Sequence, residues 1–132
     1  MSRQTELRLF QLVVILAAAV PIAAGAAGIL HGPAMIRGFA SANADLDSHF
    51  SYLSGLLLGI GIAFVFCVIR ARERALSFRI LGVIVVTGGL ARLFAASRLG
   101  LPGAAHQFAY VMELIVVPCL LLWHHRVLAA AR

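Results

Sequence analysis

The chain has no lysine, and only five of its 132 residues are acidic. Charged residues make up 12% of it, about half the share usual in a soluble domain. With 62% of residues hydrophobic, so little charge cannot clothe a water-soluble globule, and lipid is the expected solvent for most of the chain. Cysteine is also scarce. Cys67 and Cys119 lie in the apolar runs "AFVFCVIR" and "VVPCLLLW" with no CxxC between them. A disulfide framework is therefore not expected, and both thiols read as small apolar core residues. Nucleic acid is not an expected partner, because no basic stretch is interleaved with aromatics as a single-strand binder requires. There is no P-loop, dinucleotide fingerprint or nucleophile elbow, which argues against a kinase or hydrolase.

What the chain does have is four long apolar runs, at about residues 7–30, 50–69, 80–97 and 107–123. Each approaches the roughly 17–25 residues that cross a bilayer as a helix. Backbone groups in hydrocarbon must be satisfied within the segment, and no strand-like alternation is present, so four helices are expected. The first run contains Pro21, a kink position, and its apolar stretch is longer than the roughly 7–15 residues of a signal peptide. It reads as a retained span. The expectation is one domain over residues 1–132: an all-α, polytopic, four-helix transmembrane bundle.

The eleven arginines orient that bundle. Arg3, Arg8, Arg70, Arg72, Arg74, Arg79, Arg126 and Arg132 fall at one end of the spans, and only Arg37 and Arg98 at the other. The positive-inside rule then places both termini in the cytoplasm and the 31–48 connection outside. Pro33, several Gly and Ala, and Asn43 mark that connection as a turn-rich loop. Trp123, His124 and His125 mark the cytoplasmic interface of the last span, and adjacent histidines on a helix point apart. Such an arginine excess, in a lipid-soluble chain, also contacts anionic headgroups.

Arg92 takes no part in this count, because it lies inside the third span. At about 1.5 Å rise per residue it sits roughly 9 Å below the outer edge, and Glu113 on the fourth span lies roughly 10 Å below the same edge. The short connection "LGLPGAA" makes the two spans antiparallel neighbours, so an Arg92–Glu113 ion pair is expected. Gly88, Gly89, Ala95 and Ala96 surround Arg92 with small residues that allow close helix approach in lipid. His106, Tyr110 and Glu113 share a face of the fourth helix. Ser48, His49, Tyr52, Gly55 and Gly59 share one on the second, with a GxxxG step. His31 closes the first helix at the same level. The candidate cluster is thus His31, Asp47, His49, Tyr52, Arg92, His106, Tyr110 and Glu113, a polar pocket opening outward.

A charge inside a span costs roughly 2.5–3.5 kcal/mol on insertion scales and generally marks function, although small bundles also use such pairs as register locks. Taken singly, the tyrosines read as interface anchors and the boundary histidines as solvated groups. The Asp47–His49 spacing is too weak a signal for a metal site, and no HExxH supports one. No catalytic residue is assigned, and the residues name no cofactor.

The stretches "LDSHFSYLSGLLLGIGIAF", "GGLARLFAASRLGLP" and "MELIVVP" resemble a bacterial four-helix membrane family known as domain of unknown function 4345. The most specific matches are Gly88, Gly89, Arg92, Gly100 and Pro102, followed by Glu113. The resemblance implies a small multi-pass inner-membrane bundle with Arg92 and Glu113 as its key polar positions, and it implies no activity. The expected function is that of a non-enzymatic accessory or ligand- or lipid-binding subunit. Its partners would be the lipid bilayer and either a larger membrane complex or further copies of itself. The alternatives are a small oligomeric proton-coupled transporter using Glu113, and a haem- or quinone-binding redox protein using His49 and His106.

Overall fold

The computed structural model describes residues 2–36 and 43–129. Arg37 and Arg132, both counted in the arginine asymmetry, lie outside the described residues. Among the described residues there are helices and no strands. The four long helices are α1 (Arg3–His31), α2 (Ala44–Ile69), α3 (Ala75–Leu99) and α4 (Ala104–Ala129), each long and apolar enough to cross a membrane. All four extend beyond the apolar runs.

The extensions have local causes. Ser2 begins α1 as an N-cap, its Oγ accepting from the Thr5 N–H at 3.2 Å. At the other end Gly32 adopts φ +59°, a left-handed conformation that glycine takes without strain, and Pro33 prevents the helix from continuing. A single 3-10 turn follows, Gly32–Met35. Helix α1 continues through Pro21. Helix α2 starts six residues before the expected Phe50, because Asn43 is an N-cap rather than a loop residue. Its Oδ1 accepts from the Leu46 N–H at 2.8 Å, and Asp45 and Asp47 occupy the first turn, where the helix dipole favours negative charge.

Contacts group the chain into two compact units, one made of residues 15–66 and the other of residues 1–14 with 67–132. In the first unit, α1 and α2 meet where glycine removes the side chain. A Cβ on Gly25 would lie 2.5 Å from the Leu58 backbone nitrogen, and one on Gly28 would collide with Ser54 Oγ. Gly61 faces Ile22 and the Ala18 carbonyl in the same way. The GxxxG step behaves differently, since a Cβ on Gly55 or Gly59 would meet nothing within 4 Å. Close approach therefore uses Gly25, Gly28 and Gly61 instead.

In the second unit α3 packs along the length of α4. Gly82 and Gly89, seven residues apart on α3, face Leu121 and Leu114, seven apart on α4. A Cβ at these glycines would lie 2.5 Å from Leu121 Cδ2 and 2.8 Å from Leu114 Cδ2. Two leucines thus seat in two glycine notches, the small-against-large packing that brings helix backbones together in lipid. The turn between the helices requires Gly100, whose φ of 89° and ψ of 173° lie in a region essentially restricted to glycine. Its N–H closes α3 by donating to the Ala96 carbonyl at 2.9 Å, and Gln107 Nε2 donates to the Pro102 carbonyl at 2.8 Å.

At the opposite end of this unit is an aromatic core. Phe10 and Phe78 are fully buried, and Phe10 contacts the rings of Phe78, Trp123 and His124 at centroid distances of 5.7, 5.4 and 5.6 Å. Gln11 Nε2 donates to the Val68 carbonyl at 2.9 Å and so satisfies the end of α2.

Candidate functional site

Helix α4 is not uniform. It is α-helical over Ala104–Val111 and Val117–Ala129, with a π-helical turn, Met112–Val116, between them. The Val117 N–H donates to the Met112 carbonyl, a bond spanning five residues. Pro118 accounts for the wide turn. It has no N–H to give the Leu114 carbonyl, and its ring would crowd that carbonyl in a regular helix. Widening the turn relieves both problems. Glu113 sits inside this turn.

Across from it, Gly89 lets the stem of Glu113 reach α3, where a Cβ on Gly89 would lie 2.9 Å from Glu113 Cβ. Three residues further along α3, Arg92 Nε lies 3.3 Å from Glu113 Oε1. Tyr110, one turn before Glu113, donates its hydroxyl to the Arg92 backbone carbonyl at 3.2 Å. The structure thus brings together Arg92, Glu113 and Tyr110, with Gly89 as the notch that permits it.

The pair is asymmetric. The Glu113 side chain is 14% exposed and that of Arg92 is 39% exposed. Glu113 Oε2 is buried with no hydrogen-bond partner among the described residues. The recorded contact uses Arg92 Nε, one of five guanidinium donors in a planar fork. A closed clamp would occupy both carboxylate oxygens; among the described residues one of the two acceptors has no partner.

His106 is exposed on the first turn of α4, and no side-chain contact ties it to the pair among the described residues. The other four candidates belong to the 15–66 unit. His31 is exposed at the end of α1, and His49 and Tyr52 are exposed on α2. Asp47 stands against the turn that ends α1, its Oδ1 2.6 Å from where a Cβ on Gly32 would lie. Among the described residues no group of three or more His, Cys, Asp or Glu could hold a metal ion.

Two further positions differ from the sequence expectation. His124, read with Trp123 as a marker of the cytoplasmic interface, is fully buried within its unit, its ring tilted over Phe78 at 4.5 Å with Nε2 3.3 Å from the Ala71 carbonyl. Its Nδ1 has no partner among the described residues. His125 is exposed, as expected for the next residue on a helix. Cys67 is buried, whereas Cys119 is exposed and does not belong to a core. Sequence periodicity missed His124 because its burial depends on Phe10 and Phe78, which lie far away in the chain.

No protein of curated function and no solved structure matches this chain. A family model does match, over residues 9–124, an interval that holds the ion pair, the π turn and both glycine notches. The chain therefore belongs to the family described as a domain of unknown function, DUF4345.

Proposed function

We propose that this chain is a multi-pass protein of a bacterial inner membrane, with both termini in the cytoplasm. In this reading it is a non-enzymatic subunit that binds a small ligand or a lipid at Arg92–Glu113. Four apolar helices with large side chains such as Leu30, Leu99 and Leu122 turned outward support lipid as the surrounding medium. The arginine asymmetry supports the orientation, which puts the pair in the outer half of the membrane.

The observation that carries the binding role is the state of the pair: among the described residues, a buried Glu113 Oε2 without a hydrogen-bond partner, beside the Arg92 guanidinium whose Nε lies 3.3 Å from Oε1. A buried acceptor without a donor is destabilising by about 1–3 kcal/mol, and a ligand that donates to it removes that penalty. Arg92 and Glu113 sum to zero charge, so the ligand that suits them is neutral or zwitterionic. It would present an acceptor oxygen to Arg92 and a donor to Glu113. A quinone–quinol head or a zwitterionic lipid headgroup has that chemistry.

Arg92→Lys keeps the charge and removes the planar fork. The variant is expected to keep the melting behaviour of wild type in detergent and to lose a co-purifying lipid or quinone, read by mass spectrometry of both preparations. Identical small-molecule profiles contradict the binding role and leave the pair as a register lock.

A further inference from the structure

The arginines at the other end of the helices are not equivalent, and the difference singles out one groove. Arg70 is paired with Glu73 at 3.7 Å, and Arg126 with Glu6 at 3.5 Å. Arg72 and Arg79 have no ion-pair partner among the described residues, and both are exposed. They line one concavity of about 620 Å³ together with His125, against an apolar wall that includes Leu76 and Leu128. Arg72 lies in the turn that leads into α3, Leu76 and Arg79 lie three apart at its start, and His125 and Leu128 lie three apart near the end of α4. The groove is therefore the seam between the ends of two packed helices. Among the described residues no carboxylate lines it. A second concavity, of about 520 Å³, shares Arg72 with this groove and adds Arg3 and Arg70, but it also holds Glu73, which pairs with Arg70.

We propose that the Arg72–Arg79–His125 groove is a binding site for the phosphate of an anionic phospholipid on the cytoplasmic side of the membrane. The inference rests on the membrane reading above and adds a second site, of opposite selectivity to Arg92–Glu113. Two uncompensated guanidiniums require an anion, where the neutral pair does not. Phosphate suits them because the guanidinium fork engages its oxygens in a bidentate manner. The lipid source follows from the walls: Leu76, 71% exposed, sits between the two arginines and gives an acyl chain an apolar surface beside the charged rim. Trp123, one turn before Val127 on the same helix, marks the interfacial level at which headgroups lie.

The test uses the full chain in phosphatidylcholine nanodiscs with increasing phosphatidylglycerol, with native mass spectrometry counting the phosphatidylglycerol retained. Wild type is expected to retain it in preference to phosphatidylcholine. R72Q/R79Q is expected to weaken that retention by about fivefold or more per arginine removed. R3Q/R8Q removes the same charge outside this groove and is expected to change it by less than about twofold on the same scale. L76E, which puts a carboxylate into an exposed wall position, is expected to weaken retention without touching either arginine. Equal losses in R72Q/R79Q and R3Q/R8Q would reduce the effect to diffuse attraction and overturn the site. Displacement of the lipid by inorganic phosphate or glycerol phosphate would overturn the lipid assignment in favour of a soluble anion. Alkaline carbonate extraction of the same chain from native membranes separates the two readings. A chain released by carbonate overturns both, whereas an inserted chain with no phosphatidylglycerol preference overturns this one alone.

Discussion

Arg92→Ala is expected to destabilise the protein by about 2–3 kcal/mol in a mild detergent or bicelle titration. That is below the roughly 3–5 kcal/mol for breaking a fully buried pair, because part of the guanidinium is already exposed. The loss arises at Glu113, the more buried partner, which keeps its carboxylate beside α3 without a counter-charge. Glu113→Gln is expected to be milder, since an amide at that position still accepts from Arg92 and can donate through its nitrogen. The double variant should then fall short of the sum by about 1–2 kcal/mol, the range for residues in direct contact. Arg92→Ala also leaves the Tyr110 hydroxyl bond in place, because that bond goes to the backbone carbonyl and not to the guanidinium. Strictly additive losses would show that the 3.3 Å approach of Arg92 to Glu113 has no energetic consequence.

The largest single loss is expected from Phe10→Ala, about 3–5 kcal/mol, the range for truncating a fully buried phenylalanine. Phe10 is 0% exposed and touches three rings, so its removal leaves a void lined by Phe78, Trp123 and His124. The loss comes from the dispersion contacts and ring geometry of this packing. Phe108, 51% exposed on α4, is the matched control. Its truncation removes a half-exposed ring and leaves no enclosed void, and it is expected to stay within about 0.5 kcal/mol. Equal losses at the two positions, measured in the same unfolding titration, would mean that the aromatic core does not hold this unit together.

The four long helices were legible in the sequence because each contains a long apolar run, for which a helix satisfies the backbone within the segment. Their ends were less so. Asn43 and Gly32 are both turn residues by type, yet one starts a helix and the other stops one, and only neighbouring hydrogen bonds and dihedral angles distinguish them. Arg92 and Glu113 were pairable from matched depth across a short connection. The π turn was not read, although Pro118, five residues after Glu113, was its signal. Among the glycines, a stripe of small residues was visible around Arg92, but not that Gly89 forms a notch while Gly88 faces nothing within 4 Å. That choice depends on the rotation of α3 about its own axis, which the positions of Leu114 and Leu121 determine.

The proposed direction of crossing puts Arg92–Glu113 in the outer half of the membrane and the Arg72–Arg79 groove on its cytoplasmic side. Single cysteines introduced at Ser48→Cys and Glu73→Cys, in a chain whose Cys67 and Cys119 have been replaced, test it directly with a membrane-impermeant maleimide. Both positions are exposed. The expected result is labelling of Ser48→Cys in intact spheroplasts and of Glu73→Cys only after permeabilisation. The reverse pattern would contradict the orientation and exchange the sides of the two sites.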